Sequence, residues 1–182
     1  NGTSYQFVTI ADITGSNTGS AVPFDSTEIY EGTYVTTKYL VDSSNVDQRF
    51  IITDNSADTT TLTVKVQTSA SDTATTTYTK ATDISQLSRS STVYYLQEIE
   101  VGRFEVYFGD GIVSQALSDG NIVSLSYVVT NKTQANGASS FSSPSAIDTV
   151  TDITITTVAN ASGGSEAESI QSIKLNAPLD YA

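Results

Sequence analysis

Val93-Tyr94-Tyr95-Leu96-Gln97-Glu98-Ile99-Glu100-Val101-Gly102-Arg103-Phe104-Glu105-Val106-Tyr107-Phe108-Gly109-Asp110-Gly111 is the stretch that decides the fold. Its apolar residues recur with a period of two, which is the spacing of one face of a strand and not of a helix. The first arm, Val93–Glu100, puts Tyr94, Leu96 and Glu98 on one face and Val93, Tyr95, Gln97 and Ile99 on the other. The second arm, Arg103–Phe108, sets Phe104, Val106 and Phe108 against Arg103, Glu105 and Tyr107. Val101-Gly102 joins the arms as a hairpin. Gly109-Asp110-Gly111 then ends the ladder, because glycine reaches the positive φ of a tight turn without steric cost. A one-residue slip would turn Phe104, Val106 and Phe108 out to water, so the three are expected to be buried together.

The same alternation extends in both directions. Ser4–Ile13 reads as a strand with Tyr5, Phe7 and Thr9 opposite Val8 and Ile10. Ile29–Val41 reads as strand with a bend at Glu31-Gly32. Arg49–Thr53 is a short strand, and Asp54–Asp58 is rich in turn formers. Leu62, Val64 and Val66 alternate with Thr61, Thr63, Lys65 and Gln67, the pattern of a half-buried strand. Asn121–Thr130 is another strand, and Asp152–Val158 places Ile153, Ile155 and Thr157 on one face. Thr73–Thr79 and Ser139–Ser145 read as polar loops. A helix is expected after Gly163-Gly164, capped by Ser165 with Glu168 as capping-box partner, carrying Ala167, Ile170 and Ile173 as its stripe and stopping before Pro178.

The predicted fold class is therefore mainly β: an antiparallel sandwich or Greek-key-like body with a short C-terminal helix. Residues 1–160 are expected to form the β-rich body, which a break near 70–92 would divide into two small subdomains. Residues 161–182 are expected to be a linker and the start of a helical segment.

Composition narrows the chemistry. The chain has 182 residues, a net charge of −12 and only 15% charged residues. Serine and threonine fill roughly 30% of positions, and threonine suits strands. Histidine and cysteine are absent. Their absence excludes disulfides, thiol nucleophiles, Cys/His zinc sites and every histidine-based triad. No apolar run approaches the length of a membrane-spanning helix. With eight Lys and Arg against twenty Asp and Glu, partners carrying phosphate or anionic lipid are disfavoured. No methionine occurs, which suggests an internal piece of a longer chain or a processed one.

Carboxylates are the remaining acid–base groups. Glu98 and Glu100 share a strand face and Glu105 lies across the hairpin. A glycosidase needs two carboxyls flanking a sugar cleft, yet a solvated hairpin face explains them more simply. Calcium is the next candidate, through Asp54, Asn55, Asp58, Asp110, Asp119 and Asn121, but no run matches the twelve-residue loop closed by glutamate. Gly109-Asp110-Gly111 is too short for a phosphate loop and no helix start follows it. Three Asn-x-Ser/Thr sequons, at Asn1, Asn131 and Asn160, carry little weight in so Ser/Thr-rich a chain. Tyr94, Tyr95, Tyr107 and Tyr127 are expected to straddle core and surface, with a partner or carbohydrate surface as the alternative. No catalytic, cofactor or metal residue is assigned.

The ordered set Val93–Glu98, then Gly102–Gly111, then Asp119-Gly120-Asn121-Ile122-Val123 with Tyr127 resembles the baseplate wedge subunits of contractile-tailed phages, in the baseplate J-like group. Tyr30-Glu31-Gly32, Tyr39, Phe50 to Thr59 and Leu62–Val66 fit the β region before that motif. Glu168-Ser169-Ile170, Ile173-Lys174, Asn176-Ala177-Pro178 and Tyr181 fit the helix start that follows it. The resemblance covers residues 28–182. It departs at Ile112–Ser118, where many relatives carry a further Gly and a Pro. It implies a structural motif made of Phe104, Val106, Phe108, Gly109, Asp110, Gly111, Gly120 and Tyr127, with no active site to transfer. It further implies a virion protein, made in the host cytoplasm, that builds the tail baseplate ring and relays its change of shape to the sheath. The implied partners are other wedge subunits and copies of itself, with no nucleic acid, membrane or small-molecule substrate. The rival readings are a bacterial surface or adhesin-type β binding module, which the composition fits equally well, and a glycan hydrolase using Glu98 and Glu105.

Overall fold

The computed structural model describes residues 2–100, 102–146, 149–169 and 171–175. The chain divides into two units: residues 6–10 with 29–130, and residues 1–5 with 11–28 and 131–182.

The first unit holds the sheet. Its strands are β1 (Phe7–Val8), β2 (Tyr30–Glu31), β3 (Thr33–Leu40), β4 (Phe50–Ile52), β5 (Ala57–Gln67), β6 (Thr75–Lys80), β7 (Val93–Glu100), β8 (Arg103–Phe108) and β9 (Ile122–Val129). β1 and β2 form a small antiparallel pair, and the other seven form one sheet in the order β3-β9-β5-β6-β7-β8-β4. All pairings in that sheet are antiparallel except β6 with β7, which runs parallel through only Thr79↔Val93 and Lys80↔Tyr94. The β5–β6 and β7–β8 hairpins adjoin through the parallel β6–β7 pair, and the connections into the first, from β4 to β5, and out of the second, from β8 to β9, cross the sheet, which gives the body its Greek-key character. The sheet curls until its end strands meet. The Tyr39 hydroxyl on β3 donates to the Ile51 carbonyl on β4, and the Tyr39 and Phe50 rings meet edge to face at 5.6 Å. The two layers expected of a sandwich are thus the two halves of a nearly closed barrel.

Alternation fills the barrel. Phe50, Ile52, Val64, Tyr78, Tyr94, Val106, Val123, Leu125 and Tyr127 form the buried core, with Leu62, Leu96, Phe104 and Phe108 packed against it. Burying each large side chain contributes about 1.5–3 kcal/mol. The bend at Glu31-Gly32 is real and needs glycine: Gly32 has φ +127° and a Cβ there would lie 2.1 Å from the Val129 carbonyl oxygen.

Four expectations are corrected. The strand over Ser4–Ile13 shrinks to Phe7–Val8, since only Tyr30–Glu31 lies alongside to pair with it. The polar run Thr73–Thr79 is not a loop: Thr75–Lys80 is β6, whose single buried side chain is Tyr78. Asp152–Val158 forms no strand, because no described residue pairs with it. The helix begins later than Ser165. Residues 171–175 are helical, and Ser169, not Ser165, caps them by accepting from the Ser172 N–H at 3.1 Å. Upstream, Gly164 is held to Asn136 by two hydrogen bonds and Glu166 pairs with Lys132, which keeps Ser165 out of a helix. Ile170 and Pro178 lie outside the described residues.

Candidate functional site: the Gly-Asp-Gly corner and the outer sheet face

β8 carries the motif residues into the barrel and then turns sharply. Val106 is fully buried. Phe108 meets Phe50 edge to face at 5.6 Å and Tyr78 at 5.3 Å. The next three residues each have a distinct reason for their identity. A Cβ on Gly109 would lie 2.0 Å from the Ser114 Oγ and 2.9 Å from its carbonyl oxygen. The Asp110 carboxylate accepts from the Ile112 N–H at 2.9 Å, an Asx turn. Gly111 has φ +85°, and its N–H donates to the Ser114 carbonyl at 3.0 Å. Ser114 is fully buried and its hydroxyl lies 3.4 Å from that of Tyr95.

The second half of the motif sits at the entry to β9. Gly120, at φ +76°, donates to the Val41 carbonyl at 3.0 Å, and Val41 donates in turn to the Asn121 carbonyl. Tyr127 is in the core. It lies close enough to Tyr39 to raise that phenol's pKa, second to the larger effect of burial. Burial likewise raises Tyr78 and Tyr94. The motif residues therefore fall at two places, a corner and a core strand, and do not line one common cleft.

The carboxylates do not assemble. Glu98 stands opposite Phe104 and Glu105 opposite Gln97, so alternation puts Glu98 and Glu105 on opposite faces of the sheet. Glu98 accepts from the Gly102 N–H at 2.9 Å, and Glu105 pairs with Arg49 at 3.2 Å. The side chain of Glu100 lies outside the described residues. The calcium candidates are spent on turns. Asp54 accepts from the Ser56 N–H, Asp58 from the N–H and hydroxyl of Thr60, and Asp119 from the Ser43 N–H. Among the described residues no three acidic side chains cluster to hold a metal. Exposed Asp42 and Asp83 have lowered pKa values, because the hydroxyls and then the N–H groups of Ser44 and Ser85 bond them.

What the topology does bring together is an aromatic strip on the outer face. Tyr95 and Tyr107 are directly opposed and stack at 5.1 Å with 19° between their planes. The Arg49 guanidinium lies 4.2 Å from the centre of the Tyr107 ring while also pairing with Glu105. Alternation predicts Tyr95 and Tyr107 on the face opposite Phe104–Phe108. It cannot supply Arg49, 46 residues from Tyr95 and 58 from Tyr107 in sequence. Half-buried tyrosines with an exposed arginine held against them are the residue types that protein interfaces favour.

The chain is thus a β-barrel domain whose distinctive residues serve turns and packing, with a Tyr/Arg strip outside. Residues 26–139 match the family described as the third domain of bacteriophage baseplate wedge protein gp6, and the chain belongs to that family. It is 31% identical to the baseplate wedge protein gp6 of Enterobacteria phage T4 over a stretch covering 47% of this chain and 16% of that protein. The chain thus spans about a sixth of the length of the curated relative it matches. Its role is structural, in the phage tail baseplate. The family match takes in every motif residue from Phe104 to Tyr127 and ends before the 168–181 stretch that the sequence resemblance included.

Proposed function

We propose that this chain is a scaffold segment of a tail baseplate wedge that helps assemble the baseplate ring and relays its change of shape to the sheath, without enzymatic activity. The observation that carries the reading is the family match over residues 26–139. The geometry supports it. The candidate acid–base pair is split across the sheet, and the candidate metal ligands are engaged in turns. A nearly closed barrel also suits a part that must carry load without deforming. The partners proposed are other wedge subunits and further copies of this chain, within the virion. The role of Phe104, Val106, Phe108, Gly109, Asp110, Gly111, Gly120 and Tyr127 is to fix the shape of this barrel and of its corner.

Purified phage particles test the reading. Mass spectrometry of the particles should find the chain's peptides, and imaging of extended and contracted tails should place the barrel in the baseplate ring. The barrel should shift as a rigid body between the two states. Absence from the particles overturns the scaffold reading. An unchanged position in both tail states overturns the relay.

A further inference from the structure

Residues 151–158, Thr-Asp-Ile-Thr-Ile-Thr-Thr-Val, have the sequence of a strand and, among the described residues, no strand to pair with. Apolar and polar residues alternate and threonine and isoleucine dominate, a composition that favours the extended state. Among the described residues none forms a ladder with this stretch. Among the described residues its one backbone hydrogen bond is local, from the Ile153 N–H to the Thr151 carbonyl. Ile155 and Val158 are exposed. A row of unpaired N–H and C=O groups beside exposed β-branched side chains is a template for an incoming strand.

The surroundings prepare that template. Gly137 donates to the Ala161 carbonyl at 2.7 Å and Ala161 to the Ala138 carbonyl at 2.8 Å. Asn136 adds two hydrogen bonds to Gly164. The two ends of the excursion are therefore pinned together, which lowers the ordering cost of presenting it. Ile153 and Ile155, two residues apart on one face, line an open cavity of about 350 Å³ with Phe141 and Pro144. Alternate side chains of an added strand would enter it. Charge selects the occupant. Residues 133–165 contain no Lys or Arg, but do contain Asp148 and Asp152, and the chain as a whole carries −12.

We infer that residues 151–158 receive an extended, lysine-bearing segment of a neighbouring baseplate subunit as an added β-strand. This rests on the baseplate reading above. The test compares amide hydrogen exchange of 151–158 in the 182-residue chain in solution with that in purified particles. Slowing by at least about tenfold in the particle is expected. A zero-length carbodiimide cross-link should also join Asp152 to a lysine of another subunit. Ile155→Pro removes one N–H from an exposed position that contributes nothing to the buried core. It should abolish either the protection or the incorporation of the chain. Peptides present in particles with unchanged exchange at 151–158 overturn this inference alone. Protection without a link to lysine overturns the basic partner. An incorporated Ile155→Pro chain with full protection overturns strand pairing. Absence of the chain from particles sinks the baseplate reading, and this inference with it.

Discussion

Gly109 and Gly120 bracket the connection from β8 to β9 for different reasons. Gly109 needs the room, since Ser114 fills the place of a Cβ, whereas Gly120 needs the backbone angle and has open space around it. Gly109→Ala should cost about 1–3 kcal/mol through overpacking. Gly120→Ala should cost about 1 kcal/mol through left-handed backbone strain. A double-mutant cycle read by urea denaturation separates the causes. Ser114→Ala should relieve part of the Gly109→Ala loss and none of the Gly120→Ala loss. Equal behaviour of both glycines in the Ser114→Ala background would refute the assignment. The sequence shows that a turn lies here, but not which atom each glycine avoids, because Ser114 approaches only once the corner has closed.

At the scale of elements, legibility followed the number of apolar residues per strand. β3, β4, β7, β8 and β9 carry enough alternating apolar residues to be read directly, and the paired faces of β7 and β8 follow from that alternation. β6 offers one inward tyrosine among threonines, too little contrast to reveal a period. Asp152–Val158 shows the reverse case: a pattern without a partner makes no strand. β5 adds a feature that periodicity cannot show. Its pairing with β9 shifts between Asp58 and Thr63, and buried Thr61 bridges the irregularity. The Thr61 hydroxyl donates to the Asp58 carbonyl at 2.7 Å and accepts from the Val128 N–H at 2.9 Å. Thr61→Val keeps the shape and strands both groups. It should cost about 1–3 kcal/mol, measured as a lowered denaturation midpoint with unchanged slope. A loss below about 0.5 kcal/mol would mean that the bulge holds without the hydroxyl.

Three ionisable aromatic groups, Tyr39, Tyr78 and Tyr94, pack in or against the core of the shell. Tyr39, Tyr78 and Tyr94 have raised pKa values because burial disfavours the phenolate. A raised value in the folded state means that the associated stability is fully present below the ordinary tyrosine value near 10. It is lost as pH rises through the folded values. Melting temperature should therefore fall steeply above about pH 10, and Tyr78→Phe should make the fall shallower. A variant with the same alkaline slope as the parent would show that Tyr78 titrates freely in the fold. The candidate site was legible to a similar degree. The corner stood out as Gly-Asp-Gly, while the Arg49–Tyr107–Tyr95 strip depends on β4 lying beside β8, a long-range neighbour that no local pattern announces.

The position of β9 has a consequence for how the chain is made. β9 lies between β3 and β5, yet it is the last strand of the sheet to be translated. After Leu40 leaves the ribosome, β3 waits for the residues up to Val129, on the order of 10 s at ~5–20 residues per second. Until then β3 and β5 expose strand edges on the nascent chain. A message truncated anywhere before Thr130 yields a product that cannot close its shell, and such fragments should aggregate or be degraded instead of poisoning assembly. Completion of the domain is thus checked at its final strand.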